Sequence, residues 1–362
     1  MDHVIATEGL TRRFGRLEAV DHLTLHVPAG SIFGLLGPNG AGKTTTLKLL
    51  MNIIQPTSGR ATVLGVDSQR LGPAEFAQIG YVSENQRMPD WMTVRELLAY
   101  CKPFYPSWDV RLSARLIEVM ALPLDRKIRH LSRGMRMKAA LVSSLAYRPK
   151  LLILDEPFSG LDPLMRDEFV QGVLELAGEG GWSAVVSSHD LEDIERLIDW
   201  VGYLRDGQLA FAESITGLQA RFRQVDVSLP ADAAANAAGA ASAAVAASTT
   251  TANTAVAAST GSSAIPLPSP LPAAWLNVTT GDRALRFVHA GYVSETTDQE
   301  LAARFPGAHI QVTPISLRET FIALARQERT ASLAANRRRD GEGAGAGSGS
   351  GVGASAGKLV LS

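Results

Sequence analysis

Residues 37–45 read Gly-Pro-Asn-Gly-Ala-Gly-Lys-Thr-Thr, between the apolar run "SIFGLLG" and the helical pattern "TLKLLMNII". The spacing fits G-x-x-x-x-G-K-[ST], and it lies where the physics requires, after a strand and before a helix. Glycines let successive backbone N–H groups curl around an anion while the helix N-terminus aims its partial positive charge at the same place. Gly37, Pro38, Asn39, Gly40, Ala41, Gly42, Lys43, Thr44 and Thr45 therefore form a candidate phosphate cradle. Lys43 is expected to reach the β- and γ-phosphates of a nucleotide, and the Thr44 hydroxyl to coordinate Mg²⁺. A strand feeding such a loop and then a helix is the opening unit of an α/β sheet.

The rest of the first 210 residues agrees. Strand-like runs recur at "IGYV" (79–82), "LLILD" (151–155), "SAVVSS" (183–188) and "VGYLRDGQL" (201–209). Several are apolar throughout, as strands buried on both faces are, and helical patterns intervene at "VRLSARLIEVMAL" and "LEDIERLIDWV". The pattern predicts a parallel sheet with helices on both sides and ligands at the C-terminal ends of its strands. At one such end "LLILDEP" places two carboxylates after an apolar run. Asp155 is suited to hold Mg²⁺, and Glu156, one step further out, to orient and deprotonate an attacking water. "LSRGMRMK" (131–138) is a helix start with Ser132 as N-cap and Gly134 leaving the backbone open, flanked by Arg136 and Lys138. Such a site attracts an anion, and no phosphate loop lies near it in sequence.

Net charge is −1, which gives no basis for strong attraction to nucleic acid or to anionic lipid. Cys101 is the only cysteine, and "MDHVIATEGLTRRFG" carries acidic residues without an apolar signal-peptide core, so a reducing, cytoplasmic home is expected. Between Asp232 and Asp282 there is no charged residue, yet the segment is Ala, Ser, Thr, Asn, Gly and Pro rather than Leu, Ile and Phe. It lacks the apolar side chains that drive membrane insertion and is read as a disordered insertion over 230–273. A small α+β domain is expected from 221–229 and 274–329, carrying strands at "RQVDVSL", "ALRFVHA" and "HIQVTPI" and helices at "TDQELAARF" and "SLRETFIALARQ". Residues 1–220 then form the main domain, and 330–362 a disordered Gly/Ser-rich tail with "RRR" at 337–339 as a solvated charge run.

Taken with a "SGLD" turn (159–162) and "SSHD" ending a later strand, the chain resembles the nucleotide-binding subunit of an ATP-binding cassette (ABC) transporter over roughly residues 4–215. The resemblance implies a P-loop NTPase of ABC ATPase architecture: a parallel-rich core sheet, an antiparallel β subdomain and a helical subdomain, here with the small C-terminal domain added. It implies ATP and Mg²⁺ as ligands and ATP hydrolysis coupled to transport. It also implies a head-to-tail dimer in which Ser132 and the N–H groups near Gly134 of one copy close on the γ-phosphate held by the other. By the same resemblance Phe14 stacks on adenine, His189 contacts the γ-phosphate and Glu156, and Asp162 lies at the dimer interface. The partners implied are a second nucleotide-binding subunit and a separate permease, which places the chain peripherally on the cytoplasmic face of the membrane, with export as the direction.

Two motifs depart from the family pattern. Arg133 and Met135 stand where the signature has glycine and glutamine, and Glu84, with Gln86 nearby, stands where a loop glutamine senses Mg²⁺. A carboxylate can still ligate Mg²⁺. The segment around Trp91 and Met92 lies where the family docks a cytoplasmic helix of its permease. The competing readings are a soluble ABC ATPase acting on ribosome or nucleic acid and a regulatory module that does not hydrolyse. The first usually carries two cassettes or a long coiled-coil insertion, and Glu156 and His189 argue against the second. No N-K-x-D guanine motif is present.

Overall fold

The computed structural model describes residues 3–84, 86–177, 181–229, 267–268, 270–281 and 283–324. The expected insertion over 230–273 falls almost wholly outside these residues, and the Gly/Ser-rich tail with "RRR" entirely so. The chain forms two units, Met1–Leu218 and the part from Gln219 onward. In order the elements are β1 (His3–Phe14), β2 (Leu17–Leu23), β3 (His26–Pro28), β4 (Ile32–Leu36), α1 (Lys43–Leu50), β5 (Ser58–Val63), β6 (Val66–Asp67), α2 (Pro73–Phe76), β7 (Ile79–Ser83), α3 (Val94–Cys101), α4 (Val110–Val119), α5 (Arg133–Leu145), β8 (Leu151–Asp155), α6 (Pro163–Ala177), β9 (Ser183–Ser188), β10 (Trp200–Arg205), β11 (Gln208–Ser214) and α7 (Ile215–Arg221). The second unit carries β12 (Arg223–Ser228), β13 (Trp275–Thr280), β14 (Ala284–His289), α8 (Ser294–Arg304) and β15 (His309–Pro314).

Every residue of β8 and of β9 is buried, which is why their central stretches, 151–154 and 184–186, are apolar without alternation. They lie inside a six-stranded sheet of order β11-β10-β4-β9-β8-β7. All neighbours pair in parallel except β10 with β11, an antiparallel edge. Sequence distance is lost across this sheet. Pairing of Leu36 with Ser188 and of Asp155 with Ser187 sets the C-terminal ends of β4, β9 and β8 side by side. The phosphate loop, "DEP" and "SSHD" therefore leave the sheet next to one another.

A second sheet, ordered β2-β1-β5-β6 with β3 also on β1, is antiparallel and carries Phe14 at the end of β1. Its inner side chains, among them Ile5 and Val63, share a core with Phe33, Leu35, Leu47 and Ile153. Between β7 and β8 come α3, α4 and α5. Thr93 and Glu96 form a reciprocal cap on α3, and Asp109 accepts from the Arg111 and Leu112 N–H groups at the start of α4.

Two expectations fail locally. "VGYLRDGQL" is not one strand but a hairpin, β10 and β11 turning at Asp206-Gly207, and the Asp-Gly pair is its sequence signal. "LEDIERLIDWV" is a run of turns rather than a helix. Leu191, Ile194, Leu197 and Ile198 are buried with helical spacing, but Asp199 is held to β4 by Asp199 N–H to Ile32 O (2.8 Å) and Ile32 N–H to Asp199 Oδ2 (3.0 Å). That tether fixes the end of the segment where it enters β10 at Trp200.

The second unit is a four-stranded antiparallel sheet of order β13-β14-β12-β15 with its own core of Val225, Trp275, Phe287, Leu301 and Phe305. β13 was not among the expected strands. Its Trp275 ring stacks on Phe287 at 4.0 Å. Among the described residues no helix is long and apolar enough to cross a membrane.

Candidate functional site

The phosphate loop is fixed by two close approaches that only glycine permits. Gly42 caps α1 at φ 101°, and a Cβ there would lie 2.3 Å from the Ala19 carbonyl oxygen. A Cβ on Gly37 would lie 2.2 Å from the Leu204 carbonyl oxygen. The loop thus threads between the backbones of β2 and β10, and the Ala41 N–H closes a turn onto Pro38 O at 3.1 Å.

Lys43 is only 5% exposed, so its ammonium needs partners. Its Nζ donates to Gly37 O (2.7 Å) and Pro38 O (3.2 Å) and lies 3.1 Å from Glu156 Oε1. The ammonium is thus held by its own loop and by the acid beyond β8. Asp155, 3% exposed, receives two hydroxyls on one oxygen: Thr44 Oγ1 at 3.0 Å and Ser187 Oγ at 2.8 Å. Ser187 in turn accepts from the Glu156 N–H (2.9 Å), locking the first residue after the strand at φ 50°. From there Glu156 Oε2 meets His189 Nδ1 at 2.8 Å. Burial raises the phenol of nearby Tyr81 above its usual range, and the charge of Asp155 adds to the effect.

Phe14, Asn39, Gly40, Lys43, Thr44, Glu84 and Glu156 line a cleft of 560 Å³, which Ala41, Gly42 and Thr45 also border. Phe14 is 46% exposed at its rim, with the Arg12 guanidinium 4.5 Å from its ring centre. A half-exposed aromatic at the mouth of a polar cleft offers a flat apolar face. Of the two candidates beyond β7, Glu84 borders this cleft while Gln86 borders a neighbouring one.

Ser132, Gly134 and Asp162 border neither this cleft nor its floor. Ser132 is exposed and caps α5, accepting from Met135 N–H at 3.2 Å. Gly134 is buried, and a Cβ there would lie 2.2 Å from Met165 Sδ; the open backbone expected at this position is filled from within the chain by α6. Asp162 Oδ1 accepts the Met165 N–H at 2.9 Å at the start of α6. Of the two residues expected at a docking face, Trp91 is 66% exposed but Met92 is 7% exposed and belongs to the core. Ser187 was missed. Its signal was a pair of serines closing a buried strand whose centre, 184–186, is apolar.

The residues assembled here have close counterparts. The model of the ABC transporter family matches residues 20–159. The chain is 32% identical over 226 residues to the bacitracin transport ATP-binding protein BcrA of Enterococcus faecalis, covering 62% of this chain and 73% of that protein. It is 35% identical over 211 residues to the protein of the same name in Bacillus licheniformis, covering 58% and 69%. A solved ATP-binding subunit of an ABC transporter superposes with a TM-score of 0.54 at 25% identity, covering 60% of this chain and 92% of that one. Motif order, fold and identity over more than two thirds of a relative agree: the chain belongs to the ABC transporter ATP-binding proteins and is an ATPase.

Proposed function

We propose that the chain binds Mg-ATP in the 560 Å³ cleft and hydrolyses it as one half of a head-to-tail dimer. In this reading it drives a separate permease from the cytoplasmic face of the membrane. The observation that carries the chemistry is the unbroken chain Lys43–Glu156–His189, at 3.1 and 2.8 Å, beside the Thr44–Asp155 contact. Phosphates entering the loop replace Glu156 as the partner of Lys43. The freed Glu156 carboxylate takes the proton of the attacking water on one oxygen while His189 holds the other, fixing its direction. Thr44 and Asp155 supply a hydroxyl and a carboxylate, the hard oxygen donors that suit Mg²⁺, and Glu84 borders the cleft as a further carboxylate. Bound there, Mg²⁺ would neutralise phosphate charge.

Ser132 and Asp162 stand off the cleft and serve a second copy in this scheme, with Ser132 and the α5 N-terminus facing the partner's γ-phosphate and Phe14 stacking on adenine. Trp91 is the exposed aromatic we assign to the permease face. Export is the direction we assign, supported by the bacitracin transport proteins among the relatives. Those names also favour transport over action on ribosome or nucleic acid, and the Glu156–His189 contact favours hydrolysis over a purely regulatory module. The division into a cassette of 1–220 and a small domain from 221–229 and 274–329 is supported by the separate core around Trp275 and Phe287. ATP titration of the wild type and of Lys43→Ala tests the site. Loss of binding in the variant is expected, and wild-type affinity would overturn the assignment.

A further inference from the structure

Two of the residues that depart from the family pattern meet in space. Arg133, where the signature has glycine, donates through Nη2 to Glu84, where the loop has glutamine, across 49 residues of sequence. The same nitrogen reaches Ser159 Oγ at 3.2 Å. The guanidinium lies flat over Gly160: a Cβ there, at φ +69°, would be 3.1, 3.4 and 3.6 Å from Nη1, Cζ and Nε. Residues from the loops after β7 and β8 thus build a seat for one side chain at the start of α5. Glu84 borders both the phosphate cleft and the 760 Å³ cleft on the α5 side, so its carboxylate has access to either.

We propose that Glu84 and Arg133 form an exchangeable ion pair: entry of Mg-nucleotide draws Glu84 into the phosphate cleft and frees the Arg133 of that same subunit. Because α5 begins at the face assigned to the partner's γ-phosphate, filling one site then delivers a cation to the other. The inference rests on the nucleotide site proposed above. Arg133 is a positioning residue in the resting subunit and becomes a phosphate-facing one only after release. A pair of glutamine and glycine at these positions could make no such exchange. The side chains are 46% and 28% exposed. Pairs in that setting change an equilibrium by at most about fivefold, a strength that a bound divalent cation overcomes.

Four full-length proteins test this, all carrying Glu156→Gln to prevent turnover: the parent, Arg133→Met, Glu84→Gln and the double variant. Methionine keeps an unbranched stem and removes the guanidinium that lies over Gly160. The readout is the Mg²⁺ concentration giving half-maximal binding of a fluorescent mant-ATP. Relative to its effect in the Glu84→Gln background, where only a contact to the partner's phosphate is lost, Arg133→Met is expected to lower it by up to about fivefold when Glu84 is present. Equal shifts in both backgrounds, or none in either, would overturn the exchange, since a purely trans or purely structural role of Arg133 does not depend on residue 84. Failure of the parent to bind mant-ATP at saturating Mg²⁺ would instead overturn the nucleotide site itself.

Discussion

Glu156→Gln separates binding from chemistry, and the structure sets the sign of both effects. The carboxylate lies 3.1 Å from Lys43 Nζ, with the two side chains 14% and 5% exposed. At an effective dielectric of 20 that pair is worth at most about 5 kcal/mol before desolvation. The part that competes with phosphate is nearer that of a charge-assisted hydrogen bond, about 1.5–3 kcal/mol. Glutamine keeps the shape and a polar contact to His189 but no longer holds the ammonium, and it removes a like charge from beside the incoming phosphates. ATP should therefore bind about ten- to a hundredfold tighter. The cleavage step, deprived of its base, should slow by about 10²–10⁴. Mant-ATP titration gives the first quantity and single-turnover phosphate release the second. Unchanged or weaker affinity would show that Glu156 does not compete for Lys43, and wild-type turnover would remove it from the chemistry.

Gly42→Ala places a Cβ 2.3 Å from a backbone carbonyl at a strained φ of 101°; a stability loss of about 1–3 kcal/mol is expected in a denaturant melt, together with weaker ATP binding. Phe14→Ala should raise the KM for ATP about three- to tenfold, the worth of one aromatic stacking contact, in a steady-state ATPase assay; an unchanged KM would place adenine elsewhere.

The phosphate loop and the paired carboxylates were legible because each is contiguous and its chemistry follows from local backbone direction. Asp155 and Glu156 close a strand whose apolar neighbours announce its burial. Ser187 was not legible in the same way. Its role depends on parallel pairing of β8 with β9, a contact across 32 residues that no local pattern encodes. The Glu84–Arg133 pair is similar: each residue taken alone was a departure from the family pattern, and only the fold makes them partners. Helical spacing misled at 191–201, where the burial pattern was right but the backbone is tied to β4 at Asp199. Residues 201–209 carry the composition of one strand, but the Asp206-Gly207 turn divides them into β10 and β11. Gly134 looked like an open approach for a ligand, yet α6 uses the missing side chain for packing.

In the proposed function two copies of this chain close on ATP, each completing the other's site with the α5 N-terminus. The most direct measurement is the light-scattering mass of full-length Glu156→Gln with and without Mg-ATP. A doubling that depends on ATP and is abolished by Lys43→Ala is the result the account predicts. A protein that binds Mg-ATP yet keeps the mass of a single chain would contradict it.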